Sequence, residues 1–301
     1  MTDYTQLLSA EVWAFIKETE AAYPPGAADE PVAVQRGYYN ALCAKFDRPH
    51  PPRLRVENLT QNGLSMRRYH PQSPRGQVLY LHGGGFVVGG LESHDAICAE
   101  VADQAQASVL AVDYRLAPEH RHPAALHDAQ AALTWLLANS HGPLVLAGDS
   151  AGATLAARLA HSNRHNARLA GQALIYPWLG AVRDTPSTQA HANAPMLTRA
   201  DMDYYQALIF EHPYIANGPD LFVLNDQNVA DLPPTFIVTA ECDPFASDGH
   251  DYAEMLGAAK ARVTLVKGEG LVHGFLRARH TVPAAARAFS NLTAAIGAMF
   301  D

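Results

Sequence analysis

The stretch "LVLAGDSAGATLAARLA" spans residues 144–160. A short apolar run, Leu144–Ala147, meets Gly148-Asp149-Ser150-Ala151-Gly152, and an Ala- and Leu-rich segment follows. The apolar run predicts a buried strand, and the segment from Ala151 to His161 predicts a helix. The five residues between them read G-x-S-x-G. Glycines there permit a sharp strand-to-helix turn that pushes the Ser150 hydroxyl out over the sheet's edge. The N-terminus of the helix favours negative charge beside that hydroxyl.

Outward from this point the rhythm repeats. Strands are predicted at Arg53–Leu59, Met66–His70, Gln77–Leu81, Ser108–Asp113, Ala173–Tyr176, Thr235–Thr239 and Arg262–Val266. Helices are predicted at His94–Gln106, Ala124–Ala138, Ala200–Phe210, Asp248–Ala259 and Pro283–Phe300. Alternation of this kind implies an α/β fold, a mostly parallel sheet covered by helices on both faces. Two regions break the pattern. Residues 1–50 carry two amphipathic segments, around Leu8–Ile16 and Val34–Leu42, ahead of the proline-rich joint Asp47–Leu54. Residues 180–220 carry Pro, Asn and His with one helix and no strand, as an insertion would. The organisation expected is therefore N-terminal helices at 1–50 and an α/β core at 51–301, interrupted at about 180–220.

The chain has 301 residues, 48% of them hydrophobic, and a formal net charge of -8. That charge argues against nucleic acid, whose binding needs a basic stripe. No run long and apolar enough to span a membrane is present. Three scattered cysteines, Cys43, Cys98 and Cys242, match neither a disulfide framework nor a zinc pattern. Asp3 stands where a secretory leader wants a basic residue, and no continuous apolar stretch follows it. These features lead to the expectation of a cytoplasmic protein. A homodimer is left open.

A serine hydroxyl needs a base to become a nucleophile. Of fifteen histidines, His273 lies in the Gly-flanked loop "GEGLVHGF" directly after the last predicted strand. Ligands in such folds sit beyond the carboxyl ends of strands. The other strand end, "FIVTAECDPFASDGHD", offers Glu241, Asp243, Asp248 and Asp251 to orient the base. Asp243, stiffened by Pro244, is the preferred acid. Asp248 is its rival, though it fits better as the N-cap of the following helix. The order Ser150, Asp243, His273 is that of α/β-hydrolases. His120, His122 and His127 match no metal-binding spacing, and neither metal nor organic cofactor is expected.

The run Gly83-Gly84-Gly85 follows a predicted strand and His82 in "QVLYLHGGGFVVGGL". Acyl transfer through serine creates an oxyanion. Backbone N–H groups held ready for it lower the barrier by about 3–4 kcal/mol each. A glycine loop lets the backbone approach closely enough, and the N–H of Ala151 would join it. A phosphate-binding reading fails, because neither G-x-G-x-x-G nor a following Gly-Lys-Ser/Thr is present.

With "HGGGF", "DYRLAPEHRHPAAL", "GDSAG", "DPF" and "VHGF" in this order, the chain resembles the hormone-sensitive-lipase-like branch of α/β-hydrolase esterases over nearly all of residues 77–280. Within it the chain is most similar to bacterial acetyl esterases. The resemblance implies a small-molecule ester as substrate and a preference for short acyl chains. It makes Ser150 the nucleophile, Asp243 the acid and His273 the base. It makes Gly84, Gly85 and Ala151 the oxyanion donors, with His82 and Gly83 supporting their loop. It also implies a cap over the site, built from residues 1–50 and the insertion. Two departures, "DPFASDG" and Ala153, bear on pocket shape and remove no catalytic atom. The same scaffold with an inactive triad would be a small-molecule receptor, the alternative reading.

Overall fold

The computed structural model describes residues 2–181, 184–211, 220–226 and 228–301. Among the described residues eight strands form one sheet: β1 (Arg55–Gln61), β2 (Leu64–His70), β3 (Gly76–Leu81), β4 (Ala107–Val112), β5 (Leu144–Asp149), β6 (Leu169–Ile175), β7 (Thr235–Cys242) and β8 (Val263–Val272). They lie in the order β1-β2-β4-β3-β5-β6-β7-β8. β1 and β2 are an antiparallel hairpin, closed by Asn62 and Gly63, both at positive φ as a tight hairpin turn requires. β2 also runs antiparallel to β4, and from β4 to β8 every pairing is parallel.

Burial explains the apolar runs. Each residue of β4 and β5 is buried, which requires cover on both faces of the sheet. One face carries α5 (Ala124–Asn139), α6 (Ala151–Ser162) and α9 (Ala246–Ala258), which contribute Leu133, Leu155, Leu159, Tyr252 and Leu256 to one core. The opposite face carries α4 (Asp95–Gln104) and α10 (Pro283–Ala298), which contribute Ile97, Val101, Phe289 and Leu292 to a second core. The predicted strands and helices all occur, with shifted ends. β8 runs on to Val272, six residues beyond the expected stop. Its glycines at 268 and 270 read as breakers, but the strand continues beside β7 through a register shift.

The two irregular regions come together over the sheet's carboxyl edge. At the N-terminus lie α1 (Tyr4–Leu7), α2 (Ala10–Glu20) and α3 (Val32–Phe46). α2 seats Val12, Phe15 and Ile16 in the second core, while α3 supplies buried residues to both. Within the 180–220 stretch, α7 (Pro186–Ala190) and α8 (Arg199–Ile209) each begin with a capping box, Thr185/Thr188 and Thr198/Asp201. Residues 182–183 and 212–219 of that stretch lie outside the described residues. Among the described residues no helix is long and apolar enough to cross a membrane. The three cysteines are buried and unpaired with one another.

α6 starts hard against the end of β3. A Cβ on Gly152 would stand 1.9 Å from the Leu81 carbonyl oxygen, a contact that only backbone movement could relieve. Gly152→Ala should therefore lower unfolding free energy by about 3 kcal/mol in urea titrations. A loss below about 0.5 kcal/mol would show that this junction yields.

Candidate active site

Five neighbouring parallel strands end on one edge, and the residue after each belongs to the site. His82 follows β3, Ser150 follows β5, Tyr176 follows β6, Asp243 follows β7 and His273 follows β8. This is the edge at which open α/β sheets collect ligands. Sheet order therefore gathers residues 82 to 273 within one cleft.

Ser150 sits between β5 and α6 with φ 52° and ψ -121°. A positive φ is strained for a serine. It is held by the N–H of Ser150 donating to Ile175 O at 2.9 Å and by the N–H of Thr154 donating to Ser150 O at 3.1 Å. The Ser150 Oγ lies 2.9 Å from His273 Nε2, and His273 Nδ1 lies 2.7 Å from Asp243 Oδ2. Asp243 is fully buried, and its second oxygen accepts from the N–H of Phe245 at 2.8 Å. A carboxylate at Nδ1 makes that nitrogen the donor and leaves Nε2 to accept the serine proton. The His273 ring is packed between Tyr176 and Phe245, with centroids 4.7 and 5.6 Å away.

The rival acid has other work. α9 starts at Ala246 with Phe245 as its N-cap, so Asp248 is not the cap its position suggested. Its carboxylate instead accepts from the N–H groups of Leu179 and Gly180, at 2.9 and 2.8 Å, and so anchors the chain where it leaves the core. Glu241 is exposed and accepts from the N–H of Gly270 at 2.7 Å. Asp243 is the acidic residue of this loop within hydrogen-bond distance of His273.

The glycine loop curls beside Ser150. Gly84 has φ 122°, and a Cβ there would stand 2.1 Å from the Val88 carbonyl oxygen, so no other residue fits. The Gly84 carbonyl accepts from the N–H groups of Val87 and Val88. The N–H groups of Gly84, Gly85 and Ala151 have no acceptor among the described residues. His82 stacks on Tyr114 with ring centres 4.1 Å apart, and its Nδ1–H donates to Gly83 O. Burial, with His94 nearby, depresses its pKa to about 3, so it stays neutral. It braces the loop and does not touch Ser150. Arg115 pairs with Asp128 and Glu119 with Arg36, bracing the loop between β4 and α5.

Sequence reading passed over Asp149. This buried carboxylate accepts from the N–H of Gly83 at 3.0 Å and the hydroxyls of Tyr80 and Tyr176 at 3.0 and 3.3 Å, with His94 Nε2 at 3.2 Å. Burial alone would raise its pKa. The charge and hydrogen bond of His94, with the Tyr80 hydroxyl, more than offset this and draw it down to about 2. The available signal was an acidic residue ending an otherwise apolar, doubly covered strand, a place where a charge needs partners.

Above these groups is a cavity of about 490 Å³. The core side contributes Gly84, Gly85, Ser150, Tyr176, Trp178 and His273. The outer wall comes from Thr19 and Tyr23 in and after α2, Tyr39 and Leu42 of α3, and Met202 and Tyr205 of α8. Tyr176 and Trp178 are both core residues and cavity wall. No group of three or more His, Cys, Asp or Glu is gathered as for a metal ion among the described residues.

Comparison with known proteins agrees with this architecture. Residues 78–277 match a family described as "alpha/beta hydrolase fold". The chain is 38% identical to carboxylesterase NlhH of Mycobacterium tuberculosis over 267 residues, 81% of this chain and 83% of that protein. It is 30% identical to an acetyl esterase of Salmonella schwarzengrund over 284 residues, 89% of this chain and 88% of the other. A hyperthermophilic esterase from the archaeon Pyrobaculum calidifontis superposes with a TM-score of 0.88 at 30% identity, covering 97% of this chain and 99% of its own.

Asp149 ties the site to the fold's acid stability. Its depressed pKa contributes stability above the unfolded-state value of 3.8, and this is lost as pH falls toward about 2. The stability difference between wild type and Asp149→Asn should shrink by about 2 kcal/mol between about pH 4 and pH 2, followed by denaturant titration. At neutral pH the variant's kcat should fall by about 10- to 100-fold as the glycine loop loses its anchor.

Proposed function

The chain belongs to the α/β-hydrolase fold family, in its hormone-sensitive-lipase-like branch, and we propose that it is a serine carboxylesterase acting on short-chain acyl esters through an acyl-enzyme. The observation that carries this reading is the continuous line of contacts from Ser150 Oγ to His273 Nε2, and from His273 Nδ1 to Asp243, at 2.9 and 2.7 Å.

The chemistry follows from those atoms. The ester carbonyl oxygen is received by the N–H groups of Gly84, Gly85 and Ala151. His273 takes the proton as the Ser150 oxygen attacks. Asp243 holds the imidazole in the tautomer that accepts at Nε2 and stabilises it once charged. Collapse of the tetrahedral intermediate breaks the bond to the alcohol oxygen, which leaves with the proton from His273. Water, deprotonated by the same imidazole, then hydrolyses the acyl-enzyme and returns Ser150 to its starting state. The cycle needs no metal or organic cofactor. The strained backbone at Ser150 holds the nucleophile in place beforehand.

Small acyl groups suit a cavity of about 490 Å³ walled by α2, α3 and α8. These helices act as a cap that leaves room for a compact ester and hinders an extended acyl chain. Relatives named as carboxylesterase and acetyl esterase support the same reading.

Ser150→Ala should reduce turnover of p-nitrophenyl acetate to below a few per cent with circular dichroism unchanged, and an organophosphate should label Ser150 in the wild type. Full residual activity in Ser150→Ala would overturn Ser150 as the nucleophile, whereas a wild type that neither turns over esters nor is labelled would favour a receptor. Across p-nitrophenyl esters from acetate to laurate, kcat/KM should peak at short chains; a maximum at laurate would overturn that preference.

A further inference from the structure

Arg277 stands one helical turn beyond His273 and lines the same cavity as Ser150. It is the one cationic side chain in that wall among the described residues. Its Nη1 donates to the Tyr39 hydroxyl at 3.2 Å, and the guanidinium carbon lies 5.5 Å from the centre of the Tyr39 ring. The thiol of Cys43 and the phenol of Tyr23 adjoin it. Its Nε is buried with no hydrogen-bond partner, and no carboxylate bonds the group among the described residues.

A neighbouring buried arginine is treated differently. Arg279, two residues on, is met by both oxygens of Glu100. That is the usual arrangement, because a buried cation without a counter-charge costs several kcal/mol. The acidic residues of the cavity wall do not supply one. Asp149 is committed to Tyr80, Gly83 and His94. Asp201 accepts from the N–H and hydroxyl of Thr198, and Glu20 is exposed. An arginine with free donors, on the wall of a cavity that also holds the nucleophile, is prepared for an anion that arrives with the substrate. Guanidinium geometry favours a carboxylate, which it can grip through two parallel hydrogen bonds.

The geometry points to a carboxylate-binding subsite anchored by Arg277 and Tyr39, so that the preferred esters carry a free carboxylate, as monoesters of dicarboxylic acids or acyl esters of hydroxy acids do. This substrate class rests on the esterase reading. The Tyr39 hydroxyl, which accepts from Arg277, can turn its own O–H from the neighbouring Cys43 thiol toward the same carboxylate.

The test compares matched pairs: monoethyl succinate, glutarate and adipate against ethyl butyrate, valerate and hexanoate, and acetoxyalkanoates against alkyl acetates of equal length. The readout is the anionic-to-neutral ratio of kcat/KM in wild type, Arg277→Gln and Arg277→Lys. A ratio is insensitive to the fraction of protein folded. The proposal expects the ratio of one series to fall at least tenfold in Arg277→Gln and to recover in part in Arg277→Lys; the responding series tells whether the carboxylate sits on the acyl or the alcohol side. A ratio unchanged in every series would overturn it and assign Arg277 a structural strap to Tyr39. Calorimetric titration with adipate reads the subsite without turnover. Binding weakened at least tenfold in Arg277→Gln supports the subsite, and equal binding by both proteins refutes it. Failure to hydrolyse any ester would defeat the esterase reading and leave that titration to decide.

Discussion

A single carboxylate, buried one residue before Ser150, holds this edge of the sheet together. Asp149 ends β5 and draws in Tyr80 of β3, the first amide of the glycine loop, Tyr176 after β6 and His94. Charge-assisted hydrogen bonds of this kind contribute about 1.5–3 kcal/mol each and set positions closely. Burial raises the pKa of both tyrosines, with the Asp149 charge adding to it, so their hydroxyls remain donors. The start of the glycine loop and the ring of Tyr176 beside Ser150 thus lean on one ionised group.

The rest of the site is divided by origin. The groups proposed to perform the reaction, Ser150, Asp243 and His273, come from the ends of parallel strands in a doubly covered sheet. What shapes the substrate's surroundings comes from α2, α3 and α8, outside the sheet. Asp248 joins the two by holding the amides of Leu179 and Gly180 where the chain departs toward α7 and α8. On the proposed mechanism, a change of substrate would therefore require changes in the outer helices, while Ser150, Asp243 and His273 could stay as they are.

Much of this was readable along the chain. Local spacing marks the strands, because residues buried on both faces must be apolar without interruption, as in β4 and β5. It also marks the turn at Ser150 and the glycine loop, where close backbone approach admits no side chain. Strand ends next to glycine were less legible: β8 crosses two glycines that read as a stop. The choice between Asp243 and Asp248 turned on a helix boundary displaced by two residues, and only the contacts of each carboxylate separate them.

The sequence by itself determined the α/β alternation, the turn at Ser150 and the small set of residues from which a proposed base and acid could be drawn. These are local properties, written in periodicity and in glycine positions. Tertiary structure alone decided which acid faces His273, how Asp149 is surrounded, and that Arg277 reaches the cavity without a counter-charge among the described residues. Each of those depends on which strands are neighbours and on where α3 packs. Such pairings join residues tens to hundreds of positions apart, and no local pattern encodes them.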